Sequence, residues 1–199
     1  MRRLVPSLLV LIAGAAAADA PRTVRELVQA STVRLASGCS GAVAERPDLI
    51  VTALHCVKDR TSVGVRFANG AETTARVAAT DTAADQAVLM LPQPAPASAT
   101  PLHIATRRQI PGTVLYYYGH PDRVAFQTAR LDRVGQCPSL PALQNALFTS
   151  IAGKPGDSGS PLVNAEGEIV GLVHGGAACR IATPANTLLP LVARASARP

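Results

Sequence analysis

Short apolar runs separated by turn-forming residues recur along most of the chain. One set of runs spans residues 32–90 and a second set spans residues 113–182. Within the first set, Asn69-Gly70 is a dipeptide typical of tight turns between antiparallel strands. Strands of this length and spacing are typical of an all-β sandwich or barrel.

The two sets are separated by a proline-rich segment. Residues 92–101 contain four prolines, and proline cannot donate a hydrogen bond to a sheet, so we interpret this segment as a linker or crossover. Helical stretches are predicted only near the ends. Residues 23–30 fit a short helical turn, and residues 183–195 fit a closing helix with Pro184 or Pro190 near its start.

The amino terminus has the layout of a secretory signal peptide. Two arginines precede an apolar run, residues 4–12, which leads into small residues at 13–18. We expect residues 1–18 to be removed. The alternative is a membrane anchor, but a span needs about 20 apolar residues and this run is shorter and contains Pro6. The mature chain is therefore predicted to be secreted or periplasmic and not membrane-bound.

The net charge of +6 raises the question of nucleic-acid binding. The arginines are scattered, and the longest basic run is Arg107-Arg108. The one aromatic cluster, residues 116–118, is not interleaved with basic residues. We therefore expect no nucleic-acid partner.

A serine set among glycines is the strongest chemical signal in the chain. In residues 156–161, GDSGSP, Ser158 stands at a predicted bend that leads into an apolar strand. A serine nucleophile needs a base, a group that orients the base, and donors for the oxyanion. Of the four histidines, His55 ends an apolar run and precedes Cys56. It is therefore the candidate base.

Two aspartates could orient that base. Asp85 directly precedes an apolar strand, whereas Asp81 precedes Thr82-Ala83-Ala84, so Asp85 is favoured. The resulting order along the chain is His, Asp, Ser, which is one of the known orders of a catalytic triad.

Three segments together resemble the signatures of trypsin-like serine proteases. They are TALHC at 52–56, DQAVLML at 85–91 and GDSGSPLV at 156–163. The resemblance covers residues 32–194 and favours the bacterial branch, including high-temperature-requirement proteases and glutamyl endopeptidases. It implies an all-β fold of two packed six-stranded antiparallel β-barrels with a short C-terminal helix. The expected parts of domain 19–199 are a first barrel at about 31–91, a linker at 92–105, a second barrel at about 106–183 and a helix at 184–195.

The resemblance also implies roles for the site residues. His55 would be the general base and then acid, Asp85 the orienting carboxylate and Ser158 the nucleophile. The backbone N–H groups of Gly156 and Ser158 would form the oxyanion hole. Asp157 matches an aspartate that, in family members activated by processing, pairs with a new N-terminal amine, but no matching start sequence is present.

The four cysteines suggest disulfides in an exported chain. In the family, a cysteine ahead of the histidine loop pairs with the one directly after the histidine, which implies Cys39 with Cys56. Cys137 and Cys179 are then left to pair. The sequence contains neither CxxC nor HExxH, so we expect no metal site.

The specificity pocket is implied by position relative to Ser158. Ala152, six residues before Ser158, falls at the pocket floor, followed by Gly153. His174, Gly175 and Gly176 match the segment that pairs with substrate and forms a pocket wall. No acid stands at the floor, so Arg or Lys specificity is disfavoured and a small to medium apolar side chain is expected. His174 and Lys154 leave an acidic preference open.

The predicted function is an exported serine endopeptidase that acts on peptides or proteins through an acyl-enzyme, without a cofactor. The alternative is a catalytically silent homologue that binds peptide or protein in the same cleft. An α/β-hydrolase is disfavoured because Ser160 stands where GxSxG needs its second glycine, and because the strands do not alternate with helices.

Overall fold

The computed structural model describes residues 20–119, 125–174 and 179–197. The predicted signal peptide, residues 1–18, lies outside the described residues. Helix α1 is Ala20–Ser31 and helix α2 is Leu188–Ser196. The strands are β1 (Thr32–Leu35), β2 (Ser40–Val43), β3 (Leu49–Ala53), β4 (Ser62–Arg66), β5 (Glu72–Asp81), β6 (Gln86–Met90), β7 (Val114–Gly119), β8 (Ala125–Gly135), β9 (Ala146–Thr149), β10 (Pro161–Val163), β11 (Ile169–His174) and β12 (Ile181–Pro184).

The strands form two closed antiparallel barrels of six strands each. The first has the order β1-β2-β3-β6-β5-β4, and the second has the order β10-β11-β12-β9-β8-β7. The predicted fold class is therefore confirmed. The hairpin between β4 and β5 turns at Gly70, whose φ of 87° is left-handed, as the Asn-Gly dipeptide predicted.

The side chains of β3 alternate in direction, so this one strand contributes to two hydrophobic cores. Ile50 points into the first barrel, whereas Leu49 and Val51 join a cluster between the barrels that also contains Ile169 and Leu172 of the second barrel. Successive side chains of a strand point to opposite faces. Because both faces of β3 are covered, all five of its residues are buried.

The linker crosses between the barrels in an extended form and bonds to both. The N–H of Leu102 donates to the carbonyl of Val43 at 3.0 Å, and the N–H of Ala105 donates to the carbonyl of Ile169 at 2.8 Å. Both disulfides, Cys39–Cys56 and Cys137–Cys179, are present, which confirms the predicted pairing.

The closing helix begins later than the sequence predicted. Residues Ile181–Pro184 are strand β12, because they pair with β11 in a register that sets Pro184 against Gly171. A 3-10 turn, Ala185–Thr187, follows the strand, and helix α2 then starts at Leu188, with Pro190 in its first turn, where proline is tolerated. The amino-terminal helix α1 is longer than expected and buries Val24 and Val28. In the described part of the chain, none of the helices has the length and apolar character needed to cross a membrane.

Candidate active site

Strand pairing brings His55 and Asp85 together. Strand β3 ends and β6 begins at paired positions, Ala53 opposite Gln86, so the residues just beyond these strand ends meet. His55 Nδ1 lies 2.6 Å from Asp85 Oδ2. The backbone N–H of His55 also donates to Asp85 Oδ1 at 2.9 Å. Two contacts from one residue hold both oxygens of the carboxylate.

Asp85 itself has a left-handed backbone, with φ of 52°. Aspartate is among the few residues other than glycine that adopt this conformation readily. The preceding turn is held by Asp81, whose Oδ1 accepts the N–H groups of Ala83 and Ala84 at 2.9 and 3.1 Å. Of the two aspartates weighed from the sequence, Asp81 closes the turn and Asp85 faces His55.

A second histidine reaches the same carboxylate. His174, the last residue of β11, places Nε2 at 3.2 Å from Asp85 Oδ2, and its ring centroid is 5.1 Å from that of His55. The sequence reasoning assigned His174 only to the substrate pocket and missed this contact. The one feature of the sequence that could have indicated this contact is a histidine at the end of an apolar strand near Ser158.

The surroundings of Asp85 keep it ionised. Burial acts to raise its pKa, but the hydrogen bonds from His174 and His55 outweigh burial and lower the pKa to about 2. An ionised carboxylate can only accept hydrogen bonds. His55 therefore carries its proton on Nδ1, which leaves Nε2 as the basic nitrogen.

Two consecutive turns, 154–157 and 157–160, place Ser158. Each turn is closed by a hydrogen bond of 3.0 Å from its last N–H to its first carbonyl. The third positions are Gly156 and Gly159, with φ of 99° and 81°. Glycine adopts such positive values without steric cost, which explains why glycines occupy these two positions on either side of the serine.

The serine loop is fixed to the first barrel through Ser40. The N–H of Ser40 donates to the carbonyl of Ser158 at 2.9 Å, and its Oγ donates to the carbonyl of Gly156 at 2.8 Å. The hydroxyl of Thr52 donates to the carbonyl of Ser40 at 2.7 Å. Sequence reasoning missed Ser40. The one available signal was that Ser40 follows Cys39, the disulfide partner of the cysteine beside His55.

Asp157 is fully buried against β7. Its Oδ2 accepts the N–H of Lys154 at 3.0 Å, a backbone donor that the sequence did not reveal. A side chain at position 119 would bring its Cβ within 2.5 Å of Asp157 Oδ1, so Gly119 makes room for the carboxylate. Burial and the negative charge of Asp157 raise the pKa of Tyr117 above its usual value.

The pocket residues are described only in part. Ala152 and Gly153 lie in the exposed segment between β9 and the first of the two turns. Gly175 and Gly176 lie outside the described residues. The pocket assignment therefore stays a prediction.

Comparison with known proteins places the chain in a family. The family model of the trypsin-like peptidase domain matches residues 25–172, so the chain belongs to the trypsin-like peptidase family. The predicted family is thereby confirmed. A curated relative is the mitochondrial serine protease HTRA2 of Bos taurus, 34% identical over 145 residues. The match covers 68% of this chain and 31% of HTRA2, so the chain spans about a third of that relative's length.

Solved structures share the fold at low identity. The crystal structure of the Rv3671c protease of M. tuberculosis, in an inactive form, superposes with a TM-score of 0.69 at 24% identity, covering 89% of this chain and 96% of that one. The HtrA-type protease AlgW, determined with a tripeptide, gives 0.71 at 19% identity over 87% of this chain and 62% of AlgW. At these identities the likeness to solved structures shows the fold.

Proposed function

We propose that this chain is an exported serine endopeptidase with His55, Asp85 and Ser158 as its catalytic triad. The observation that carries the proposal is the bond of 2.6 Å between His55 Nδ1 and the ionised Asp85. That bond leaves the base nitrogen of His55 available, while Ser40 ties the Ser158 loop to the same barrel.

In the proposed reaction, Ser158 Oγ attacks the carbonyl carbon of the scissile peptide bond while His55 Nε2 takes the hydroxyl proton. The N–H groups of Gly156 and Ser158 stabilise the oxyanion of the tetrahedral intermediate. The carbon–nitrogen bond then breaks, and His55 gives its proton to the leaving amine. Water hydrolyses the acyl-enzyme by the same steps and restores Ser158. Asp85 stays ionised and stabilises the imidazolium.

Export is part of the proposal. The predicted signal peptide supports it, and the two disulfides fit an oxidising compartment.

The proposed specificity disfavours Arg and Lys before the cleaved bond. Such side chains need an acid in the pocket, and the position expected at the floor is Ala152. We expect small to medium apolar residues before the cleaved bond. Cleavage of a peptide library, analysed by mass spectrometry, tests this with the Ser158→Ala variant as the control for contaminating proteases. Predominant cleavage after Arg or Lys by the unmodified chain would contradict the pocket assignment.

A further inference from the structure

Three side chains of metal-binding type converge at the triad. One ligand atom from each of His55, Asp85 and His174 lies within 4.8 Å of the other two. Both imidazoles contact the same oxygen, Asp85 Oδ2, at 2.6 and 3.2 Å. In a typical catalytic triad the carboxylate orients only one imidazole. The second imidazole is therefore an additional potential metal ligand that peptide hydrolysis does not use.

The donor set suits zinc. Zinc prefers imidazole nitrogen and carboxylate oxygen at about 2.0–2.2 Å in tetrahedral geometry, which separates neighbouring ligand atoms by about 3.3 Å. The distance from His174 Nε2 to Asp85 Oδ2, 3.2 Å, is already close to this separation. The contact from His55 must widen from 2.6 Å, and His55 is the most exposed of the three side chains, so it has room to move.

We propose that His55, Asp85 and His174 form a zinc site whose occupation switches the enzyme off. Zinc would replace the protons that the two imidazoles share with Asp85. Each displaced proton would pass through solvent to the other nitrogen of its ring, so that neutral His55 would bind zinc through Nδ1 and carry its proton on Nε2. A protonated Nε2 cannot accept the proton of Ser158. The inhibition rests on the proposed function, whereas zinc binding itself does not.

Another histidine–carboxylate pair provides a contrast. His103 Nδ1 lies 3.7 Å from Glu45 Oε2, with the histidine side chain 78% exposed. This pair offers only two ligands on the surface. It therefore serves as a matched control for the effect of removing a histidine beside a carboxylate.

The test uses the full chain with Ser158→Ala, which keeps all three ligands and cannot hydrolyse itself. Zinc is titrated in competition with a colorimetric zinc chelator. We expect one zinc ion per chain. Adding His174→Asn should weaken binding by roughly tenfold or more, because losing even an outer-shell partner of a metal ligand costs 10–100-fold. Adding His103→Asn should leave binding unchanged.

A second variant distinguishes the loss of a zinc ligand from a failure to fold. His55→Asn changes a side chain at the surface and should weaken zinc binding as His174→Asn does. The proposal is overturned if the Ser158→Ala chain binds no zinc, or if folded His174→Asn and His55→Asn bind it as tightly as their parent.

A parallel measurement on the unmodified chain tests the inhibition. Zinc should block reaction of Ser158 with a fluorophosphonate, and EDTA should restore it. A chain that reacts equally with and without saturating zinc overturns the proposed switch. A chain that never reacts contradicts the proposed function instead, and the Ser158→Ala titration still decides the zinc site.

Discussion

At the scale of single residues, Gly159 meets two requirements at once. Its φ of 81° is left-handed, and a Cβ there would lie 2.3 Å from the carbonyl oxygen of Ser40 and 2.4 Å from the hydroxyl of Thr52. Real Cβ atoms do not approach other atoms so closely, so the serine loop can dock on the first barrel only with glycine at this position.

We predict that Gly159→Ala lowers the free energy of unfolding by about 3 kcal/mol or more, from backbone strain plus overpacking. Gly70→Ala is the matched control, since Gly70 has φ of 87° with nothing within 4 Å of its Cβ position. Its cost should stay near 1–2 kcal/mol, the strain alone. Urea unfolding measures both. Equal losses would show that the loop does not dock as described.

At the scale of elements, β7 carries a buried tyrosine beside the serine loop. Tyr117 is almost fully buried, and its hydroxyl lies 2.9 Å from Gln127 Oε1. Burial and the charge of Asp157 raise the pKa of Tyr117. The folded state therefore keeps a proton that the unfolded chain loses at about pH 10.

This difference in protonation between the folded and unfolded states determines how stability changes at alkaline pH. Above about pH 10 the unfolded state binds fewer protons than the folded state, so the free energy of unfolding falls as pH rises. Tyr117→Phe has no proton to lose and should show a shallower decline. Urea unfolding of both proteins between pH 9 and about 11 measures it. Parallel declines would contradict the assigned environment of Tyr117.

At the scale of the whole molecule, Gln86 joins the two barrels. It is fully buried on β6, and its Nε2 donates to the hydroxyl of Thr183 and the carbonyl of Pro184, both at 3.0 Å. Its Oε1 accepts the hydroxyl of Thr187 at 2.8 Å. Gln86 directly follows Asp85, and β12 pairs with the strand that ends at His174. The same bonds therefore set how the barrels meet at the triad.

Gln86→Leu leaves the buried hydroxyl of Thr183 without the amide that donates to it, at about 1–3 kcal/mol for an unsatisfied group, whereas Thr187 and Pro184 keep a bond to each other at 2.7 Å. We predict a loss of stability of that order together with a fall in kcat, because Asp85 and His174 lose their common anchor. Gln144→Leu is the control, since the side chain of Gln144 is exposed and its Nε2 donates to the carbonyl of nearby Pro141 at 3.2 Å. Chemical unfolding and peptide hydrolysis measure the two effects. An unchanged kcat in Gln86→Leu would show that this contact between the barrels does not affect the active site.

The sequence was informative where a pattern is local. Strands followed from the alternation and spacing of apolar runs, and the choice of Asp85 over Asp81 followed from the strand that comes next. The contacts of Ser40 and His174 could not be predicted, because they join segments far apart in the chain and depend on how the barrels pack. Local patterns also placed the start of the closing helix too early, since pairing with β11 holds Pro184 in a strand.

The proposed mechanism depends most directly on Ser158 as an activated nucleophile. The decisive measurement is the intact mass of the mature protein after exposure to a fluorophosphonate, with Ser158→Ala as the control. This probe tests the nucleophile and the oxyanion hole without assuming a substrate. We predict one adduct per chain, absent from the variant. Folded protein that forms no adduct would contradict the account and indicate a silent peptide-binding homologue.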